Sequence, residues 1–156
     1  MLRLRPHHIL DIVRNIGNGR EIKPHEYGHL LHAVTRELME DIDRECTLVV
    51  GNDDICGPCI HLGKDGRCDD LLRQLSEPVS KQAYNDELDG RILGYLGIEA
   101  GTTMRVSDYL RRACADLDGI AEICAHPQEG REQRKRGLEK GLELLGIDAG
   151  RSLKKI

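Results

Sequence analysis

Apolar residues recur at helical spacing through the first quarter of the chain. The first run lies between Pro6 and Gly17, with a proline that suits a first helical turn and a glycine that ends the pattern. A second run, between Pro24 and Glu40, repeats the spacing of i, i+3, i+4 and i+7. Each run predicts an amphipathic helix whose apolar side faces a core.

One irregular segment interrupts the helical pattern. It runs from Ile55 to Cys68 and contains several glycines and a proline without usable periodicity, so it is predicted to be a loop. The residues before it, Thr47 to Val50, predict a short strand that can pair with Leu2 to Leu4. Helical patterns return at 69–75 and 80–96, in a helix capped by Ser107, in a short turn capped by Asp118, and at 129–145.

These elements predict a mainly α fold, a small helical domain with a short two-stranded β element and a cysteine loop. Residues 1–127 are expected to form a cysteine-rich helical domain, and residues 128–156 a C-terminal helical extension packed on that same domain. A length of 156 residues suits one modest core. Because Phe and Trp are absent, that core must consist of Leu, Ile, Val and Ala.

The charge and the cysteines narrow the function. A formal net charge of -4 gives no global basic field, and the last helix interleaves both signs without aromatic residues, so nucleic-acid binding is not expected. No apolar run approaches the ~20 residues of a membrane span, and no signal peptide is recognised, so a cytoplasmic location is expected. Six cysteines in a reducing compartment indicate metal binding or catalysis before disulfides.

The irregular loop carries the strongest metal signal. Cys56 and Cys59 form a C-x2-C pair around Gly and Pro, and Cys68 follows. A loop so poor in apolar residues cannot order itself by burial, whereas structural zinc bound by thiolates supplies about 10 kcal/mol or more in small peptides. The loop is therefore predicted to bind a metal. Candidates for a fourth ligand are, in order of preference, Cys124, His61 and His126, whereas Cys46 and Cys114 are interpreted as structural.

Several segments taken together resemble a known family: Arg3-Leu4-Arg5-Pro6-His7-His8-Ile9-Leu10, Asp53-Asp54-Ile55-Cys56-x-x-Cys59, Cys68, Leu96-Gly97-Ile98 and Ile123-Cys124. They are similar to the domain of unknown function 1284 family, small bacterial and archaeal proteins described as iron–sulfur-binding, over about residues 2 to 125. The resemblance implies a cluster, expected to be 4Fe-4S, with zinc as the alternative cofactor, and the ligands that it implies are Cys56, Cys59, Cys68 and Cys124.

The start of the first helix suggests an anion site. Arg3, Arg5, His7 and His8 crowd a helix N-terminus, where unpaired N–H groups and a partial positive charge favour an anion. His7 and His8 point about 100° apart on a helix, so they are not expected to bind one ion together. The simpler alternative is a strand with solvated arginines and a capping histidine.

A second histidine motif suggests a different chemistry. His25-Glu26-x-x-His29 matches the HExxH signature of zinc peptidases, which requires a helix. The apolar stripe of the predicted helix would place His25, His29 and His32 on the opposite, polar face, which argues against a buried catalytic zinc. Nickel or zinc could still bind these histidines adventitiously.

Three functions follow in order of preference. The first is an iron–sulfur protein that either transfers electrons with a redox partner protein or performs Lewis-acid chemistry on a small anionic substrate. The second is a structural zinc module with a regulatory or interaction role. The third is the HExxH hydrolase. The sequence does not choose the reaction.

Overall fold

The computed structural model describes residues 1–73, 77–124 and 129–147. The protein is mainly helical with a small β element, as the hydrophobic pattern predicts. No helix in these ranges is long and apolar enough to cross a membrane. The helices are α1 (Pro6–Gly17), α2 (Leu31–Glu40), α3 (Lys81–Leu96), α4 (Val106–Ala113), α5 (Leu117–Ile123) and α6 (Arg131–Leu144), with a 3-10 turn at Cys114–Asp116. The strands are β1 (Leu2–Leu4), β2 (Glu45–Leu48), β3 (Leu71–Leu72), β4 (Val79–Ser80) and β5 (Thr103–Arg105).

The larger sheet contains three strands in the order β1-β2-β5. β1 runs parallel to β2, with Leu4 opposite Leu48, so the expected pairing of these strands is confirmed. β5 adds an antiparallel third strand, with Met104 opposite Cys46, and the expectation of a two-stranded element missed it. Three residues without clear alternation give too weak a pattern to predict a strand.

The core surrounds α1, whose apolar residues Ile9, Leu10 and Val13 are fully buried. Aliphatic side chains from every α-helix join them, as the absence of Phe and Trp requires. Tyr109 is the large aromatic exception, and its hydroxyl donates a hydrogen bond of 3.0 Å to the carbonyl oxygen of Pro6. This bond satisfies the polar end of an otherwise buried ring.

The predicted helix over residues 24–40 is wrong in its first half, because α2 begins only at Leu31. The N–H of Leu30 donates to the carbonyl oxygen of Ile55, and the carbonyl oxygen of Tyr27 accepts from the N–H of Ile60. Gly28 has a φ of +79°, in the left-handed region. Backbone hydrogen bonds to the cysteine loop thus replace those that a helix would have made.

Three smaller expectations also differ from the structure. Residues 71–72 form β3, which pairs with β4, in place of the helix expected over 69–75, of which 74–76 lie outside the described residues. Ser107 lies inside α4, and its hydroxyl donates to Asp43 instead of capping the helix. Asp116, two residues before the expected Asp118, caps α5 by accepting from the N–H of Gly119.

α1 and α6 approach so closely that glycines are required between them. A Cβ atom added to Gly141 of α6 would collide with the backbone carbonyl of Val13, and one added to Gly17 of α1 would collide with the carbonyl of Gly137. Backbone atoms cannot yield as the end of a flexible side chain can. The glycines therefore fix the spacing between the two helices.

We expect Gly141→Ala to lower the free energy of unfolding by about 1–3 kcal/mol, because overpacking outweighs the better helix propensity of alanine. Gly90→Ala is the matched control, since a Cβ on this exposed glycine of α3 meets open space. The control should raise the free energy of unfolding by up to about 1 kcal/mol. Denaturant unfolding of both variants measures the difference, and equal effects would contradict the close approach.

Candidate metal site

A cavity of about 340 Å³ lies beside the start of α1 and the cysteine loop. Four cysteines line it: Cys56, Cys59 and Cys68 from the loop, and Cys124 from the residue that ends α5. These are the four thiols that the family resemblance implies as ligands. The fold thus brings a distant helix end to the same cavity as the loop. Their role as ligands remains a prediction.

The loop curls back on itself through short backbone hydrogen bonds. The N–H of Cys59 donates to the carbonyl oxygen of Cys56 at 3.0 Å, and Leu62 forms an isolated bridge with Cys68. The N–H of Cys68 also donates to the buried side chain of Gln82, which extends from α3. The loop is therefore held by α3 as well as by its own turns.

All six cysteines, each within the described residues, are free thiols. Burial raises the pKa of Cys56 to about 11, with the negative charge of Asp53 adding to the effect, and burial also raises the pKa of Cys124 to about 11. A bound cation would reverse this preference, since thiolate is the ligating form. Cys46 and Cys114 are buried in the core, and neither lines the cavity.

A compact set of three donor groups lies at one end of the cavity. A ring nitrogen of His8, a carboxylate oxygen of Asp53 and the sulfur of Cys56 all lie within 4.8 Å of one another. In the part of the chain that the structure describes, this is the one such set of three His, Cys, Asp or Glu groups. Histidine, carboxylate and thiolate all bind zinc and other transition metals, so the donors are compatible with metal binding.

Asp53 organises this end of the cavity. Its carboxylate accepts from the backbone N–H of Arg5 at 2.7 Å, from that of Ile55 at 3.1 Å and from Nδ1 of His8 at 2.8 Å. Burial opposes the charge of Asp53, but the hydrogen bond and the charge of His8, together with the N–H of Arg5, lower its pKa to about 2. The same bond outweighs burial at His8 and raises the pKa of that imidazole.

Asp89 of α3 plays the corresponding role on the other side of α1. Its fully buried carboxylate accepts from the N–H and from Nδ1 of His7, at 2.9 and 2.8 Å, and from the guanidinium of Arg5 at 2.8 Å. Asp86 accepts a second guanidinium hydrogen bond at 2.9 Å. Burial opposes the charge of Arg5, but the two carboxylates outweigh it and raise the pKa of Arg5.

The fold brings three of the four residues predicted to bind an anion to the cavity and leaves Arg3 apart from them. Arg3 is exposed and does not line the cavity, and its backbone N–H donates to Asp54 at 2.8 Å. Arg5 lines the cavity, but two carboxylates balance its charge. His7 and His8 line it as well, and an aspartate fixes each Nδ1, which leaves each Nε2 for the cavity.

The HExxH segment forms part of the cavity wall. His25 and His29 stack with ring centroids 4.5 Å apart, and both line the cavity, so their expected position on an outer helix face is wrong. Tyr27 packs edge-on against His61, whose Nδ1 lies 2.8 Å from Asp69. Because residues 25–29 are not helical, the hydrolase hypothesis loses the helix on which the motif depends.

Sequence reasoning missed the two aspartates that position the histidines. Asp53 lies two residues before the cysteine loop, in the turn over residues 51–54, where an acidic residue is common. Asp89 sits within α3 beside Gly90, and no local pattern marks its pairing with a residue 84 positions away. His61 and His126 were weighed as ligands; His61 lines the cavity, and His126 lies outside the described residues.

In comparisons with known proteins, the chain matches the model of one protein family. A family model with the description Protein of unknown function (DUF1284) matches residues 24–128, more than half of the chain. The resemblance drawn from the sequence is thereby confirmed, and the description names neither a metal nor a reaction. Searches of curated proteins and of solved structures give no match.

We expect Asp89→Asn to lower the free energy of unfolding by about 3 kcal/mol, because it leaves the buried guanidinium of Arg5 without its main partner. Asp108→Asn is the matched control, since Asp108 pairs with Arg111 at the surface, where both side chains are about half exposed. The control should change the free energy of unfolding by less than about 0.5 kcal/mol. Denaturant unfolding that gives the two variants the same stability would contradict this role of Asp89.

Proposed function

The chain belongs to the DUF1284 family, and from the geometry of its cavity we propose that it is an iron–sulfur protein that acts on a small molecule. Cys56, Cys59 and Cys68 are the proposed ligands from the loop, and Cys124 is the proposed fourth. The observation that carries the proposal is that four thiols from two distant segments line one cavity. Thiolates are the usual ligands of iron–sulfur clusters.

The donor set and the space fit such a group. Sulfur donors select zinc, copper(I) and iron–sulfur centres over hard cations. A cavity of about 340 Å³ leaves room for a cluster and a small ligand beside it. A bound cluster would supply electron transfer or, at an iron without a protein ligand, Lewis-acid chemistry on a small anion.

The histidines favour chemistry on a ligand over electron transfer alone. His7 and His8 line the cavity, and each donates from Nδ1 to a buried aspartate, which leaves Nε2 to accept, donate or carry a proton. Asp89 and Asp53 hold the rings in place through these bonds. A pure electron carrier has no need of two oriented imidazoles at the wall of an open cavity.

A zinc module is the second candidate, and one observation favours it. His8, Asp53 and Cys56 already lie within 4.8 Å of one another, and all three are zinc ligand types. In that case the site would use a mixed set of ligands with one loop cysteine, in place of four thiolates. The function would then be structural or regulatory.

Metal analysis of protein purified without oxygen separates the two candidates. We expect stoichiometric iron and acid-labile sulfide with broad visible absorbance, and loss of most of the iron in Cys59→Ser, because a serine hydroxyl is a poor substitute for a thiolate. Cys46→Ala is the matched control, since Cys46 is buried in the sheet away from the cavity. It should keep its iron and sulfide.

Other results would favour zinc or exclude both. A colourless protein with one tightly bound zinc that His8→Ala and Cys56→Ser remove would support the zinc module. Iron that the control loses as readily as Cys59→Ser would contradict binding at the cavity.

A further inference from the structure

Two histidines of the cavity wall have a defined tautomer. Nδ1 of His25 accepts the backbone N–H of Tyr27 at 3.0 Å, and Nδ1 of His29 accepts the N–H of Leu31 at 3.4 Å. A neutral imidazole has one accepting and one donating nitrogen. In both rings the proton therefore lies on Nε2. This is the reverse of His7 and His8, whose Nδ1 atoms face aspartates.

The two rings lie side by side. The rings of His25 and His29 are stacked, with an interplanar angle of 21° and centroids 4.5 Å apart. Neither Nε2 has a hydrogen-bond partner within residues 1–73, 77–124 and 129–147, and neither side chain is fully buried. Two unpartnered N–H groups thus lie on neighbouring rings.

The carboxylates in the described lining of the cavity are neutralised by neighbouring cations. Asp11 and Asp70 are the carboxylates in its described lining, and each forms an ion pair, Asp11 with Arg14 at 2.6 Å and Asp70 with Lys81 at 2.8 Å. Burial, together with the neighbouring imidazoles of His25, His8 and His32, lowers the pKa of His29 and so favours its neutral form. Neutral N–H donors of this kind hold an anion by hydrogen bonds.

The rest of the cavity wall includes apolar side chains that can contact the hydrocarbon part of a ligand. Leu31, Ile55, Leu72 and Leu88 line the same cavity and offer apolar contact to the rest of a ligand. An inorganic anion such as phosphate would make no apolar contact with these side chains. A small organic acid can place its carboxylate at the two N–H donors and its hydrocarbon part against these apolar side chains.

We propose that His25 and His29 form a subsite that binds the carboxylate of a small organic acid through two Nε2–H donors. In this proposal His25 and His29 take the anion-binding role that the sequence suggested for Arg3 and Arg5. The inference rests on the proposed function for its biological meaning, because it names the ligand class of that cavity. Binding itself requires only the two histidines.

The first test uses the unaltered protein. Nitrogen-15 NMR of histidine-labelled protein should show protonated Nε2 and unprotonated Nδ1 in His25 and His29. Titration with acetate should shift both Nε2 resonances with saturation, and acetamide, the uncharged analogue, should bind at least about tenfold more weakly. The opposite tautomer, or acetate shifts absent from both rings, would overturn the proposal without any variant having to fold.

The second test uses variants. His25→Phe and His29→Phe should each weaken acetate binding about tenfold or more, because each removes a hydrogen bond to a charged group. His32→Phe is the matched control, since His32 does not line this cavity, and it should bind acetate as the unaltered protein does. Equal weakening in the control would overturn the proposal.

Iron and sulfide measured on the same samples keep the two ideas apart. Acetate binding without iron would sink the iron–sulfur proposal and leave the subsite standing. Iron in the protein, with acetate binding that does not depend on His25 or His29, would support the iron–sulfur proposal and overturn the subsite.

Discussion

Two buried carboxylates at the junction of β1 and α1 are the constraint on which the rest of the structure depends. The first turn of a helix has backbone N–H groups without helical partners. Asp53 accepts from the N–H of Arg5, and Asp89 accepts from the N–H of His7. Because Asp53 belongs to the turn before the cysteine loop and Asp89 to α3, these bonds join three segments at one point. Neither carboxylate could be buried without such donors.

This junction also orients the histidines that line the cavity. The same aspartates fix the Nδ1 atoms of His8 and His7, and these two imidazoles line the same cavity as the four cysteines. Backbone hydrogen bonds tie the 25–30 segment to the cysteine loop and bring a second pair of histidines to the wall. Soft thiol donors therefore lie beside oriented imidazoles. This combination suits a metal centre with a ligand-binding face.

Apolar spacing and end signals in the sequence predicted the helices and strands whose formation depends mainly on neighbouring residues. Helices such as α1, with a proline at its start and an apolar stripe, followed from spacing alone, as did the pairing of β1 with β2. Failures occurred where distant contacts outweigh propensity. The 24–30 segment follows hydrogen bonds to residues 55 and 60, and β3 follows its pairing with β4. For the site, cysteine spacing selected Cys56, Cys59 and Cys68, and the family resemblance added Cys124; all four line one cavity. No sequence pattern couples Asp89 to Arg5, or His25 and His29 to the same wall.

The central claim is that the four cavity thiols converge on one inorganic group. Anomalous diffraction at the iron edge, from crystals grown and frozen without oxygen, tests it most directly. The account predicts an iron peak in the cavity, within bonding distance of the sulfurs of Cys56, Cys59 and Cys68, with Cys124 completing the set. Sulfurs that point apart around ordered solvent, or a lone zinc bound by His8 and Cys56, would contradict it.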